Sequence, residues 1–253
     1  MLFNYHTHTS RCHHADGTDR EYVESAIKAG IKTLGFSDHA PYPSLEFKIK
    51  NPYRVDCGEE YVNSLLALKK EYEKDINILI GFELEYYPSL HAQEVEYLKS
   101  LNCDYLILGQ HQLIKGEDYK VVYTPTPTYT LTEYVDTVIE GLNTGDFQIL
   151  AHPDMPTCFN TKEQKEKEYT RLCIEAKKLN IPLELNLLGI REGRTYPSES
   201  FFEIAGKVGN DIVIGFDAHS PSALTDVYAP KRAMEIVNKF NLKLLTKPFI
   251  KNK

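Results

Sequence analysis

The sequence has few cysteines, and none of them stand at the spacing of a metal or redox motif. The five are Cys12, Cys57, Cys103, Cys158 and Cys173. Their number is odd and no two form a Cys-x-x-Cys pair, which argues against a disulfide framework and against a structural zinc knuckle. We therefore expect reduced thiols and a cytoplasmic protein.

An excess of basic residues and long apolar runs are also missing. Lys and Arg together number 29 against 36 Asp and Glu, which gives a formal net charge of −7. Nucleic acids and anionic membranes bind basic surfaces, so neither is expected as a partner. No apolar run approaches the ~18 residues of a membrane span, and the first residues lack the basic and apolar regions of a secretory signal.

What the sequence does contain is a series of short apolar runs, typical of buried parallel strands. The predicted strands are Leu2–Tyr5, Thr33–Ser37, Ile78–Phe82, Tyr105–Gly109, Phe147–Ala151, Leu183–Leu187 and Ile212–Phe216, with Leu242–Leu245 as a weaker eighth. Helical patterns lie between them. Tyr61, Leu65, Leu68 and Tyr72 form one apolar stripe, and Pro230 is expected to open the last helix.

Strands that alternate with helices predict a parallel α/β fold, here as one domain spanning residues 1–253. The length of 253 residues suits a barrel, and no Gly-x-Gly-x-x-Gly follows the first strand as an open dinucleotide-binding sheet would favour. We therefore predict a TIM-barrel-like fold of seven strand–helix units. Two long connections, Pro41–Asp56 and Leu113–Thr130, leave strands at the face where a barrel places its active site and are candidate lids.

The histidines carry the functional signal. Seven of the nine follow the carboxyl ends of predicted strands, namely His6, His8, His14, His39, His111, His152 and His219. Glu83 and Asp217 occupy equivalent positions, and in a barrel these ends meet at one mouth. A single histidine after a strand is more often a hydrogen-bonded loop residue, but scattered histidines would not choose the same end of five strands. His13 and His91 fall outside this pattern.

Nine candidate ligands exceed what one or two metal ions use, and together with a bridging carboxylate they suit three. Imidazole-rich sites favour zinc, manganese or iron over magnesium or calcium. Glu85 competes with Glu83 for the bridging role, and Cys12 is expected to be a packed thiol rather than a ligand. The positive charge of three divalent ions exceeds the negative charge of two carboxylates. The mouth of the barrel would therefore carry a net positive charge, which suits a phosphate dianion.

These motifs, in this order, resemble the polymerase-and-histidinol-phosphatase (PHP) superfamily. The resemblance rests on His6-Thr-His8, Ser37-Asp38-His39, Glu83, His111, His152-Pro-Asp154 and Asp217-Ala-His219. The segment that starts at His6 and includes His14, and Leu188-Gly-Ile-Arg191 with Tyr196-Pro-Ser198 after it, resemble the histidinol-phosphatase branch in particular.

The resemblance implies a distorted (β/α)7 barrel with three metals at the carboxyl ends of its strands. It implies that His6, His8, Glu83 and Asp217 hold the first metal, that Glu83, His111 and His152 hold the second, and that His14, His39 and His219 hold the third. The implied reaction, a step of histidine biosynthesis, is hydrolysis of the phosphate monoester L-histidinol phosphate to L-histidinol and phosphate. A metal-bridging hydroxide is expected to attack the phosphorus.

Four further residues are given roles on this basis. Asp38 and Asp154 are candidates for proton transfer, and orientation of His39 and His152 is the equal alternative. Arg191 and Arg194, which follow the sixth strand, are candidates for binding the phosphate through a guanidinium fork.

Three other functions stay open at the level of sequence. A metal-dependent amidohydrolase also begins with His-x-His in a barrel, although it usually has eight strands and a metal-bridging lysine after the fourth. A PHP phosphoesterase for another small phosphate ester would share every metal ligand. A non-catalytic metal-binding protein is the third, and turnover would exclude it.

Overall fold

The computed structural model describes residues 1–43, 54–115, 118–158 and 160–250. Eight parallel strands form one sheet in these ranges. They are β1 (Phe3–Asn4), β2 (Thr33–His39), β3 (Asn77–Leu84), β4 (Tyr105–Leu108), β7 (Ile149–Leu150), β8 (Leu183–Asn186), β9 (Asp211–Gly215) and β10 (Lys243–Leu244). Their order in the sheet follows the chain from β1 to β10, so the predicted parallel α/β fold and its weaker eighth strand are both confirmed.

Helices follow the strands and cover the outside of the sheet. They are α1 (Asp19–Lys28), α2 (Gly58–Glu71), α3 (His91–Ser100), α4 (Leu131–Leu142), α5 (Lys162–Lys178), α6 (Leu187–Glu192), α7 (Glu199–Val208) and α8 (Tyr228–Lys239). Thr18, Thr130 and Thr161 begin α1, α4 and α5 as capping boxes, in which side chain and backbone satisfy each other's hydrogen bonds. None of the described helices is long and apolar enough to cross a membrane.

The last helix starts two residues earlier than predicted. The Asp226 carboxylate accepts hydrogen bonds from the backbone N–H groups of Tyr228 (2.8 Å) and Ala229 (3.2 Å). These bonds satisfy backbone donors in the first turn of α8. The helix therefore begins at Tyr228, and Pro230 lies inside its first turn. A proline is tolerated there because that turn needs no N–H donor.

The first of the two candidate lids lies only partly within the described residues. Residues 44–53 of Pro41–Asp56 lie outside the described residues. The other, Leu113–Thr130, contains most of an antiparallel hairpin, β5 (Gln112–Lys115) and β6 (Asp118–Val121), in place of an irregular connection.

The sheet curls until its first and seventh strands meet. Thr7 and Ala218, just beyond the ends of β1 and β9, form a parallel bridge. The His8 N–H donates to the Ala218 carbonyl (2.9 Å), and the Ala218 N–H donates to the His6 carbonyl (3.3 Å). Seven strands therefore surround the mouth, while β10 pairs with β9 at the opposite end, and the result is the distorted barrel that the motifs imply.

Aromatic rings fill the barrel beneath its mouth. The interior cluster comprises Phe3, Tyr5, Leu79, Tyr105, Ile107, Ile149, Ala151, Val213 and Ile250. The Tyr105 hydroxyl lies 2.7 Å from the Tyr5 carbonyl oxygen and 3.0 Å from that of Phe36, both within donating distance. Gly35 leaves room for this ring, because a Cβ at Gly35 would overlap the Tyr105 hydroxyl. The Tyr105 ring thus packs against the backbone of Gly35, where a side chain would not fit.

We predict that Gly35→Ala destabilises the protein by about 1–3 kcal/mol, the usual cost of overpacking a core. The loss should be smaller in a Tyr105→Phe background, because the phenylalanine lacks the hydroxyl that the new methyl group would meet. Urea unfolding of the two single variants and the double variant, at one fixed metal concentration, measures the coupling. Strictly additive losses would show that the two side chains do not meet in this way.

Candidate metal centre

The nine predicted ligands come together at the carboxyl ends of the strands. Eight of them line one cleft of about 330 Å³, namely His8, His14, His39, Glu83, His111, His152, Asp217 and His219. The ninth, His6, lies beneath the cleft and is only 1% exposed. Their residue types and positions make this the candidate site of the protein.

Glu83, near the end of β3, occupies the middle of the cluster. Its Oε1 lies 2.9 Å from Nε2 of His152 and 3.6 Å from Nε2 of His111. Its Oε2 lies 3.1 Å from Nδ1 of His39. A Cβ at Gly109 would overlap the carboxylate, so the glycine beside β4 leaves the room that Glu83 needs. The two oxygens of one carboxylate therefore face different groups of imidazoles.

The bridge between β1 and β9 places a second group of ligands. His6 and His8 flank Thr7, Asp217 and His219 flank Ala218, and the bridge between Thr7 and Ala218 brings the two pairs together. His6 Nε2 lies 3.1 Å from His8 Nε2. Asp217 Oδ1 lies 3.5 Å from His6 Nε2 and 3.2 Å from His8 Nε2. Barrel closure thus assembles this part of the site.

A third group forms at the outer edge of the cleft. His14 Nε2 and His219 Nε2 are 2.8 Å apart, and the imidazole rings of His14 and His39 stack with their centroids 5.3 Å apart. The Cys12 thiol lies close to His14 and His219, but it donates a hydrogen bond to the Thr9 carbonyl at 3.0 Å.

The donor set fits transition-metal ions. Several overlapping triads bring their ligand atoms within 4.8 Å of one another, among them His6–His8–Glu83, His6–His152–Asp217 and His8–His39–His219. Glu83 Oε2 and Asp217 Oδ1 are buried without a hydrogen-bond partner among the described residues. A buried carboxylate oxygen is costly unless a cation or donor offsets its charge. Imidazoles with carboxylates are ligands typical of zinc, manganese and iron.

Electrostatics separate Glu83 from its neighbour Glu85. Burial alone would raise the pKa of both groups. For Glu83, the positive potential of His111, His39 and His6 outweighs burial and lowers the pKa well below its usual value. For Glu85, burial prevails and the pKa is raised. Glu83 is thus the carboxylate that stays ionised, as a metal ligand must.

Asp38 and Asp154 both lie below the surface of the cleft. Asp38 accepts hydrogen bonds from the backbone N–H groups of Thr9 and His39, both at 2.9 Å, and its Oδ1 lies 3.2 Å from His8 Nδ1. Burial opposes ionisation, but the bond to His8 lowers the pKa of Asp38 to about 2. Asp154 accepts a hydrogen bond from the Ser198 N–H, and burial raises its pKa to about 6.

The two arginines differ in where they point. Arg194 lines the cleft, where its Nη1 donates to the Tyr196 hydroxyl (2.8 Å) and its Nε donates to Glu192 (2.7 Å). Arg191 instead donates through Nη2 to the carbonyl oxygens of Phe216 (2.9 Å) and Asp217 (3.2 Å). A phosphate-binding role for either residue stays a prediction.

Sequence reasoning missed one buried acidic residue at the site. Glu184 lies in β8, is 2% exposed and contacts His6. Its signal was present in the predicted strand Leu183–Leu187, since a charged residue is almost never fully buried unless it is paired. Tyr123 and Gln112 also line the cleft and were not singled out, whereas Tyr196, a third lining residue, belongs to the Tyr196-Pro-Ser198 segment of the family resemblance. His13 and His91 lie outside the cluster and contact Asp56 and Asp146 instead.

The chain is similar in sequence and in fold to known proteins. A protein named "Probable histidinol-phosphatase" from Deinococcus radiodurans is 26% identical over 229 residues, which cover 87% of each chain. The histidinol-phosphatase of Bacillus subtilis is 30% identical over 122 residues, 45% of each chain. The histidinol phosphate phosphatase of Lactococcus lactis, whose structure contains zinc, L-histidinol and phosphate, shares the fold. Its TM-score is 0.76 at 18% identity, with 96% of this chain and 95% of that chain covered.

The sequence also matches the family model described as the PHP domain, over residues 4–187. That match takes in most of the chain and contains seven of the nine predicted ligands, while the bridge between β1 and β9 adds Asp217 and His219. On the sequence match and the fold together, the chain belongs to the PHP domain family.

Proposed function

We propose that this protein hydrolyses the monoester L-histidinol phosphate to L-histidinol and phosphate, as a cytoplasmic enzyme of histidine biosynthesis made of one domain. The observation that carries the proposal is Glu83, an ionised carboxylate set among imidazoles at the floor of a cleft of about 330 Å³. The names and the shared fold of its relatives support the choice of substrate. All five cysteines carry free thiols, in keeping with a reducing compartment.

We propose three metal sites, for zinc, manganese or iron. His6, His8, Asp217 and Glu83 would hold the first ion, and Glu83 with His111 and His152 would hold the second. His14, His39 and His219 would hold the third. When bound, divalent ions acidify water into a nucleophile near neutral pH and offset the charge of a phosphoryl group.

The chain itself orients the ligands and surrounds the substrate. We propose that Arg194 binds the phosphate from the wall of the cleft, since its guanidinium already lies there. Asp38 holds the His8 ring, and Asp154 holds the Ser198 backbone two residues from Tyr196. Because these contacts occupy both carboxylates, we favour orientation over proton transfer as their role.

Metal dependence is the first test. Purified protein should carry about two to three equivalents of transition metal, and chelation should abolish release of phosphate from L-histidinol phosphate. A panel with phosphotyrosine and nucleoside monophosphates at equal concentration tests the substrate. The proposal requires the highest kcat/KM for L-histidinol phosphate. An undiminished rate in protein verified to be free of metal would contradict it.

The bridging carboxylate can be tested against its neighbour. Glu83→Ala should lower kcat by at least ~10³-fold, because it removes a ligand that two metals share. Glu85→Ala should cost at least ~10-fold less, since Glu85 contacts the Tyr87 hydroxyl (2.5 Å) and lies 3.5 Å from His111 Nδ1 rather than in the middle of the cluster. Steady-state kinetics at saturating metal, with circular dichroism to verify folding, decide the order, and the reverse ranking would assign the bridge to Glu85.

The arginines can be separated by metal content. Arg194→Lys keeps the charge but loses the planar fork, so we expect kcat/KM to fall by roughly 10- to 100-fold with bound metal unchanged. Arg191→Lys should instead reduce metal retention, because Arg191 holds the carbonyl oxygen of the ligand Asp217. Impaired kcat/KM with full metal content in Arg191→Lys would assign Arg191 to the phosphate, as the sequence motif implies.

A further inference from the structure

A second carboxylate is built into the floor of the barrel mouth. Glu184 is 2% exposed, and a carboxylate taken out of water must be compensated by donors or cations. A Cβ at Gly215, on the neighbouring strand β9, would overlap Glu184 Oε1, just as a Cβ at Gly109 would overlap Glu83 Oε1. The fold therefore provides a glycine for each of these two inward-facing carboxylates.

The contacts of Glu184 lead to three different metal ligands. Its Oε1 lies 2.8 Å from His6 Nδ1. Its Oε2 accepts hydrogen bonds from the His152 backbone N–H (3.0 Å) and from Asn186 Nδ2 (2.9 Å). The same Asn186 nitrogen donates to Asp217 Oδ2 (3.0 Å). One side chain on β8 is thus connected to ligands that follow β1, β7 and β9.

Each connection has a chemical consequence for metal binding. A carboxylate at Nδ1 of His6 fixes the proton on that nitrogen, so that the Nε2 lone pair faces His8 and Glu83. His152 has a φ of 27°, in the left-handed region that costs a non-glycine residue ~1–3 kcal/mol. The hydrogen bond from its N–H to Glu184 helps to hold that conformation and directs the ring toward Glu83 Oε1.

We propose that Glu184 is a positioning residue of the metal centre. It sets the tautomer of His6, holds the backbone of His152 and, through Asn186, holds the carboxylate of Asp217. Of the proposed ligands, its hydrogen bonds and those of Asn186 reach His6, His152 and Asp217, which belong to the first two metal sites, and no hydrogen bond in the described residues joins either side chain directly to His14, His39 or His219. Both of its oxygens already have partners, so it acts through the ligands and not as one of them. The inference rests on the metal assignment of the proposed function.

A carboxylate accepts hydrogen bonds at both of its oxygens, whereas the amide of glutamine accepts at one end and donates at the other. Glu184→Gln therefore cannot accept both from His6 and from the donors of His152 and Asn186. If its NH2 faces His6, Nδ1 becomes the acceptor and the proton moves to Nε2, where it blocks metal binding. If its NH2 faces the other way, it meets the N–H of His152 and the amide of Asn186, which are both donors. The first orientation disturbs the first site through His6, whereas the second disturbs the second site through His152 and the first through Asn186 and Asp217. Neither places a mismatched group at the third site.

The experiment measures metal affinity and histidine tautomers together. Competitive titration of zinc against a chromophoric chelator should show one or both of the first two sites of Glu184→Gln weakened by ~10- to 100-fold, with the third site unchanged. In zinc-loaded protein labelled with ¹⁵N-histidine, loss of the His6 Nδ1–H signal should accompany weakening through His6, and its retention should accompany weakening through His152 and Asp217. Glu168→Gln is the matched control. Glu168 is another buried carboxylate, 4% exposed, which contacts Thr132 and Arg171 outside the cleft, and both readouts should stay as in the wild type.

Three results would overturn the proposal. They are wild-type affinity at all sites, equal weakening of all three sites, and weakening of the third site alone in Glu184→Gln. If Glu184→Gln does not fold, Glu184→Asp keeps the charge and should show the same selective loss to a lesser degree. A wild-type protein that binds zinc but does not hydrolyse L-histidinol phosphate would refute the proposed function and leave the role of Glu184 standing.

Discussion

The buried carboxylate of Glu83 and the imidazoles around it form the interaction on which the site depends. Burying a carboxylate costs free energy unless positive charge or hydrogen-bond donors replace the water around it. Here His152, His111 and His39 approach its two oxygens at 2.9–3.6 Å. These imidazoles lower its pKa well below the usual value. An anion is therefore maintained at the floor of the cleft, where metal ligands converge.

Backbone geometry brings the remaining ligands to that anion. Closure of the barrel depends on the bridge between Thr7 and Ala218, and the same bridge sets the register of the His-x-His and Asp-x-His motifs. A shift of one residue in either segment would turn the ligands away from the cleft. Closure of the barrel and assembly of the site therefore occur together. Asn4 contributes to both, because its side-chain oxygen accepts a hydrogen bond from the Phe216 N–H (2.9 Å) next to the bridge.

The parallel strands and the gathering of the nine candidate ligands could be predicted because both follow from local pattern. Short apolar runs identify the strands, and the carboxyl ends of barrel strands meet at the same mouth. Features set by tertiary contacts could not be predicted in this way. Arg191 follows β8 as expected, yet its guanidinium turns to the carbonyl oxygens of Phe216 and Asp217. The start of α8 depends on the Asp226 carboxylate rather than on Pro230.

Glu184 shows a different limit of sequence analysis. It stands inside an apolar strand, and its partners at His6 and His152 are distant along the chain. A charge inside a buried strand predicts that it is paired, but only the three-dimensional arrangement shows that its partners are His6 and His152. Helix α6 is a similar case, because it begins directly after β8 at Leu187 without the loop that usually separates a strand from a helix.

The central claim is that Glu83 lies at the middle of a cluster of three metal ions, and anomalous X-ray diffraction from crystals of the zinc-loaded protein tests it most directly. The account predicts three zinc peaks in the cleft, two of them within bonding distance of Glu83, ~2.0–2.2 Å. The third should lie among His14, His39 and His219. A single peak, or zinc bound in the cleft without contact to Glu83, would contradict the account.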